Sequence, residues 1–208
     1  MKLLDALNWR YAVKKFSDDK ISATKLKELL NMVRLSASSY GLQPYNIIVV
    51  KSEEIREQLL AFSYGQDKIA QSSHLLVFAA HTQIGDATVD HYIDKYAKIS
   101  NKSHSELNDF SSHVKSALTA KTVEQRQMWA HQQVYIALGN LLTCAAVMKI
   151  DSCPMTGFDA AGYDGVLKLK EKGLTTTVIC PIGYRHHNDV QAISPKVRFD
   201  YDEIVMEI

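Results

Sequence analysis

Four cations carry the clearest chemistry in this sequence. Arg10 and Lys14 stand four residues apart near one end of the chain, and Lys196 and Arg198 stand two apart near the other. On a helix the first pair would project from one face, and on an extended segment the second pair would share a side. Arginine offers a planar fork of donors to phosphate oxygens and lysine a compact charge, so a cluster of both types suits a mononucleotide-type phosphate. Each pair taken alone is more often a solvated surface cluster. A phosphate clamp exists only if the fold brings the two ends together.

Other patterns mainly exclude. Gly157, Gly162 and Gly165 lack the G-x-G-x-x-G spacing of a dinucleotide fingerprint, and no P-loop, G-x-S-x-G elbow or H-E-x-x-H occurs. Cys144, Cys153 and Cys180 are an odd set without C-x-x-C spacing, which suits a reducing compartment and neither a disulfide framework nor a thiolate zinc site. His186-His187 reads as a polar turn, so no metal is expected. Lysine and arginine total 24 against 23 acids, a net charge of +1, which gives no global field for nucleic acid. Apolar runs such as Leu75-Leu76-Val77-Phe78-Ala79-Ala80 are too short to span a bilayer, and Asp5 and Arg10 interrupt the start where a signal peptide needs an apolar stretch. The expectation is a soluble cytoplasmic protein with no membrane or nucleic-acid partner.

The elements that must position the cations belong to a folded chain. With 208 residues, 46% hydrophobic and 23% charged, with four prolines and nine glycines, the sequence describes one domain over 1–208 with no linker or repeat. Leu3, Leu4 and Leu7 have helical spacing and lead into the basic segment around Arg10. Ser22 is an N-cap for a helix carrying Leu26, Leu29, Leu30 and Val33 on one face and ending near 36–39. Strands are expected over 45–50, 74–80 and 174–184, with a helix over 53–62, polar helical structure over 86–121 and a final strand near 204–206. From 124 to 149 apolar residues cover nearly the whole helix circumference. A small domain can cover such a helix on only part of its surface, so it is inferred to pack against a second subunit as well.

Five collinear segments then carry a family resemblance: Arg10-Tyr11-Ala12-Val13-Lys14-Lys15-Phe16; Leu35-Ser36-Ala37-Ser38-Ser39 with Gln43-Pro44; Gln133-Val134-Tyr135 with Leu138-Gly139-Asn140; Pro154-Met155-Thr156-Gly157-Phe158; and Pro195-Lys196-Val197-Arg198. Over nearly its full length the chain resembles the nitroreductase and flavin reductase family of oxygen-insensitive FMN enzymes. The resemblance implies an α+β fold with a central, mainly antiparallel sheet flanked by helices. It implies an intertwined homodimer with a C-terminal extension onto the partner and FMN at the interface.

By the same resemblance, Arg10, Lys196 and Arg198 hold the FMN phosphate, Tyr11 and Ala12 make backbone contacts, and Lys14 lies by the pyrimidine side of the ring. Ala37, Ser38, Ser39 and Gly41 come from the partner's side, with Gln43 a weaker candidate. Pro154, Met155, Thr156 and Gly157 run along the ring, Met155 packing on it and a backbone N–H of Thr156 or Gly157 aimed at N5. Gln66, with Lys68, adds a polar contact.

The implied activity is ping-pong hydride transfer from NAD(P)H through flavin N5 to nitroaromatics, quinones or flavins, with Lys14 favouring the reduced ring and no protein acid or base. Tyr92, Tyr96 and Phe110 are substrate-stacking candidates, with core or surface packing the commoner role for any one such aromatic. Tyr11, Ala12, Gly41 and Thr156 depart from residues common in the family, which bears on cofactor affinity and acceptor choice. Alternatives are reduction of a pteridine or enone, a flavin-binding carrier or sensor without turnover, and an anion-binding module.

Overall fold

The computed structural model describes residues 2–208. The three apolar runs form strands β1 (Tyr45–Val50), β2 (His74–His81) and β4 (Leu174–Gly183), and a two-residue β3 (Asp151–Ser152) completes the sheet. All pairings are antiparallel, in the order β1-β2-β4-β3. Sequence reading misses β3 because two residues carry no periodicity.

Strand alternation sends Leu76, Phe78 and Ala80 to one face of β2 and Leu75, Val77 and Ala79 to the other, and all six are fully buried. The run is continuously apolar because helices cover both faces, an arrangement less common for antiparallel sheets than for parallel ones. On the first face lie α2 (Ala23–Arg34), α5 (Asp86–Ser100), α6 (Asn108–Thr119) and α7 (Val123–Val147). The second face carries α3 (Glu53–Leu60), the single turn α4 (Lys68–Gln71) and α8 (Ala160–Val166). The ladder shifts register after Phe78, and Thr177, left out of it, meets Nδ1 of His131 on α7 at 2.7 Å.

Local chemistry sets the helix ends. The Ser22 hydroxyl accepts from the Lys25 N–H at 3.3 Å, as the cap reading expects. Helix α2 stops at Arg34, earlier than expected, because the Ser36 hydroxyl turns back to donate to the Val33 carbonyl at 2.6 Å. The polar segment 86–121 becomes two helices separated by Asn101 in the left-handed conformation, φ 54°. Helix α7 opens on a reciprocal cap in which Gln125 N–H donates to Thr122 Oγ1 and Thr122 N–H to Gln125 Oε1, at 3.2 and 2.9 Å. Its Ala130, Val134, Ala137, Leu141 and Ala145 are buried, while Met128, Tyr135, Ile136 and Val147 remain 42–64% exposed. The chain's own residues cover one side of this helix only.

The chain begins with α1 (Leu3–Trp9), packed against α7, and finishes in an exposed tail. The strand expected at 204–206 is not formed. Residues Tyr201–Ile204 make a short helix α9, opened by an Asp200 N–H bond to Glu203 Oε2 at 2.8 Å, and 205–208 have no ladder partner. A strand exists only when paired, and no free edge of the same chain reaches this segment.

Gly162 in α8 lies against the Phe62 ring, where an added Cβ would stand 2.0 Å from Cδ1. Gly162→Ala should therefore overpack this layer by about 1–3 kcal/mol, more than the roughly 1 kcal/mol alanine gains over glycine in a helix. The thermal unfolding midpoint should fall by several degrees; an unchanged midpoint would show that the ring moves aside freely.

Candidate functional site

Helix α1 ends at Trp9 and the chain leaves it extended, with Arg10 at φ −72° and ψ 143°. Arg10 and Lys14 are thus on a non-helical segment, which corrects the helical option for this pair. The segment is stitched to the sheet. Ala12 bridges Ser152 and Phe16 bridges Arg185.

Asp189 fastens it further. This carboxylate is buried, and its Oδ2 accepts from the Tyr11 hydroxyl at 3.1 Å and from the Lys14 and Lys15 N–H groups at 2.8 and 3.2 Å. Its Oδ1 accepts from the Gln191 N–H at 3.1 Å. Burial by itself raises the carboxyl, but these bonds outweigh it and hold Asp189 below the ordinary carboxylate value. Burial raises the Tyr11 phenol, keeping it a donor.

The knot delivers the C-terminal cations to the N-terminal one. Lys196 Nζ donates to the Leu7 carbonyl at 2.8 Å and to the Arg10 carbonyl. Burial and then the neighbouring Arg198 lower the Arg10 guanidinium; burial, Arg10 and Arg198 lower the Lys196 ammonium. Nε of Arg10 is buried with no hydrogen-bond partner. Among the described residues none of Arg10, Lys14, Lys196 and Arg198 is ion-paired with a carboxylate. Three mutually repelling cations around an orphaned guanidinium N–H form a socket for an anion.

A second set lies near Cys153, buried one residue after β3. Burial raises its thiol, while the charges of Lys68, Lys14 and Arg10 act in the opposite sense. Gln66 Nε2 donates to the Gly157 carbonyl at 2.9 Å, and Lys68 Nζ donates to Gln66 Oε1 at 2.8 Å. In the turn 154–157, Thr156 and Gly157 are exposed, and no hydrogen bond among the described residues uses either N–H. Met155 is the exception. Its backbone pairs with Ile179 at 2.8 Å, and its side chain, 6% exposed, belongs to the core of the second face, so it does not stand as a packing surface for a ring.

The serine-rich loop is held separately. Ser39 N–H donates to Gln133 Oε1 at 2.8 Å, and Asn140 Nδ2 to Ser36 Oγ at 2.9 Å, so α7 positions it. Ser38 Oγ accepts from the Gln43 N–H at 3.0 Å, and Gln43 Nε2 donates to the Arg34 carbonyl at 2.9 Å. Ala37 and Gly41 are exposed, and Gly41 has φ 75°. No hydrogen bond among the described residues joins this loop to the cations. Tyr92, Tyr96 and Phe110 form a triad with centroids 6.0–6.3 Å apart, packed on the core of the first face. Packing is the role they take here, which is the commoner of the two roles open to them from the sequence.

Sequence reading missed Asp189 and the pair Asp151–Arg185. Arg185 Nε and Nη2 donate to Asp151 Oδ1 at 2.9 and 2.6 Å, and its guanidinium lies 4.1 Å from the Trp9 ring centroid and 4.5 Å from that of Tyr11. Asp189 is a lone residue in an irregular segment and Asp151 opens a strand of two residues, so neither acid carries a pattern that marks it.

The sequence profile of the nitroreductase family matches residues 7–184. A protein of Staphylococcus saprophyticus named as an NAD(P)H nitroreductase is 34% identical over 217 residues, covering 98% of this chain and 95% of the relative. The oxygen-insensitive NAD(P)H nitroreductase of Salmonella typhimurium is 27% identical, with both chains fully covered. A nitroreductase crystal structure from Bacillus subtilis superposes with a TM-score of 0.88 at 20% identity, covering 99% of this chain and 98% of that one. A nitroreductase from Exiguobacterium sibiricum, crystallised with FMN, gives 0.86 at 17% identity, covering 100% and 98%.

Replacing Asp189 by asparagine sets an amide N–H against donors and should cost about 1–3 kcal/mol. The carboxyl lies below its unfolded value of about 3.9, so its contribution is complete above that and disappears as pH falls through the folded value. Denaturant midpoints should fall more steeply below about pH 5 in the wild type than in Asp189→Asn; equal acid slopes would remove Asp189 from this role.

Proposed function

Since the chain belongs to the nitroreductase family, we propose that it is an FMN-dependent oxidoreductase that takes electrons from NAD(P)H and passes them to nitroaromatics, quinones or flavins. The observation that carries this reading is the set Arg10, Lys196 and Arg198, unpaired with any carboxylate and including the buried, orphaned Arg10 Nε. An FMN phosphate fits that socket. The exposed, unused N–H groups of Thr156 and Gly157 fit the edge of a flavin ring, as does Gln66, fixed by Lys68 and Gly157. The chemistry FMN supplies when bound is ping-pong relay of a hydride through N5.

The remaining roles belong to the chain. Arg10, Lys196 and Arg198 bind the phosphate; Tyr11 and Ala12 lie beside it through their backbone. Lys14, its backbone held by Asp189, places a positive charge where reduction puts negative charge on the ring. Pro154, Met155, Thr156 and Gly157 supply a backbone rail, with an N–H of Thr156 or Gly157 donating to N5 and Met155 anchoring the turn from below. No side chain acts as acid or base.

The site is completed by a second copy. Ala37, Ser38, Ser39 and Gly41 ride on α7, with no hydrogen bond among the described residues to the cations of their own chain, and α7 presents the uncovered Met128, Tyr135, Ile136 and Val147. The tail supports the same homodimer, its Phe199, Tyr201, Ile204 and Met206 being 67–81% exposed. Between α2 and the free edge of β1 runs a groove of about 870 Å³ whose lining includes Lys20, Lys27, Arg34, Lys51 and Arg56 against the single acid Glu53. Asp200, Asp202, Glu203 and Glu207 of a partner's tail complement it in charge, and the β1 edge offers that tail a ladder. Cytoplasmic residence is part of the same reading; among the described residues no helix is long and apolar enough to cross a membrane.

The purified protein should show a flavin band that bleaches under anaerobic NADH or NADPH; no band after reconstitution with FMN would sink the proposal. Arg198→Ala should weaken FMN binding by about 1–3 kcal/mol, roughly 5- to 150-fold, and unchanged affinity would take Arg198 out of the site. Deleting 200–208 should shift sedimentation toward monomer, whereas an intact dimer would place the tail elsewhere.

A further inference from the structure

Arg56 of α3 is 2% exposed and plays no part in the cofactor site. Its Nη1 donates to the Ser72 carbonyl, but its Nε is buried with no partner, and the one carboxylate paired with it, the exposed Glu53, stands 3.8 Å from Nη2. A guanidinium taken out of water is costly unless its donors and its charge are answered. Arg56 lines the groove between α2 and the free edge of β1 together with Lys20, Lys27, Arg34 and Lys51, none of which is ion-paired among the described residues. The groove is two-sided. Leu26 and Leu30 of α2 and Val49 of β1 give it an apolar wall on the first face of the sheet, and Arg56 stands on the second. A strand laid along the β1 edge would send alternate residues to these two sides. The tail has that pattern where it leaves α9: Val205 is extended, φ −102° and ψ 121°, and Met206 and Ile208 alternate with Glu207. All three side chains are exposed, and Glu207 is in no ion pair among the described residues. Asp200 and Glu203, by contrast, are engaged in the cap of α9.

We propose that Arg56 is the floor of a carboxylate site in this groove, and that its ligand is the side chain of the partner's Glu207, with the partner's Met206 and Ile208 seated on Leu26, Leu30 and Val49. This rests on the reading that the tail of a second copy occupies the groove. The carboxylate supplies the counter-charge that Arg56 lacks in its own chain. The site also reaches the cofactor at a distance. The root of the same tail carries Lys196 and Arg198 of the phosphate socket, so a tail fastened at its far end holds those two cations in place. FMN uptake and tail seating therefore strengthen each other, by the reciprocity of linked equilibria.

The test measures the dimer dissociation constant by sedimentation, and FMN affinity by flavin fluorescence, for wild type, Glu207→Gln, Asp202→Asn, Arg56→Met and the double variant Arg56→Met with Glu207→Gln. Glu207→Gln should raise the dimer constant about tenfold or more, one charge-assisted contact being lost at each end of the dimer. It should weaken FMN binding in the same sense, although residue 207 lies outside the phosphate socket. Asp202→Asn, a change at an exposed charge, should move either constant by less than about twofold. The double variant should be no weaker than the weaker single one. Arg56→Met also releases the Ser72 carbonyl, so Glu207→Gln decides alone if that variant does not fold. A Glu207→Gln dimer as tight as wild type, an Asp202→Asn dimer as weak as Glu207→Gln, or losses that add in the double variant would overturn the inference. A dimer left intact by deletion of 200–208 would overturn the tail reading and this inference with it. A wild type that takes up no FMN would be the failure of the cofactor reading, and the dimer constants would still decide this one.

Discussion

One buried carboxylate holds the site in register. Asp189 accepts hydrogen bonds from the Tyr11 hydroxyl and from the N–H groups of Lys14, Lys15 and Gln191, joining segments some 175 residues apart. A buried carboxylate is costly unless satisfied, and this one is satisfied mainly by backbone donors whose direction is set by the chain path. The tail consequently leaves the body at one place, and Lys196 reaches the carbonyls of Leu7 and Arg10. Arg10, Lys196 and Arg198 repel one another; the knot and these carbonyl contacts keep them together until an anion arrives.

Around that knot the fold uses its helices to bury both faces of a four-stranded sheet. Little is left to cover α7, which is apolar on every side, or the tail, which lies open from residue 190 onward. A second copy would cover both surfaces and the loop riding on α7, and the proposed cofactor site calls for the same arrangement. In the proposed dimer, stability of the assembly and completeness of the site are one property.

Much of this was legible in the sequence because the governing interactions are local. Ser22 and Thr122 sit where caps must sit, and the three strands read as unbroken apolar runs because both their faces are buried. The four cations were visible as types and spacings. Where reading failed, a longer-range interaction had decided. Arg10 and Lys14 sit on non-helical backbone because Ala12 pairs with Ser152. The terminal strand is absent because residues 201–204 turn into a short helix and 205–208 find no ladder partner. Met155 turns inward because its backbone pairs with Ile179.

The residue order alone was enough for the fold class, most helix and strand positions, the family and the identities of the phosphate-binding candidates, since periodicity, capping and motif spacing are written in neighbouring residues. Which cations meet, which aromatic rings stay exposed and which carboxylate ties the ends together were decided only in three dimensions. Asp189 shows why: it lies in an irregular turn, and its partners stand at the opposite end of the chain. Nothing in its own neighbourhood distinguishes it from a solvated acid until the backbone donors of 14 and 15 arrive beside it.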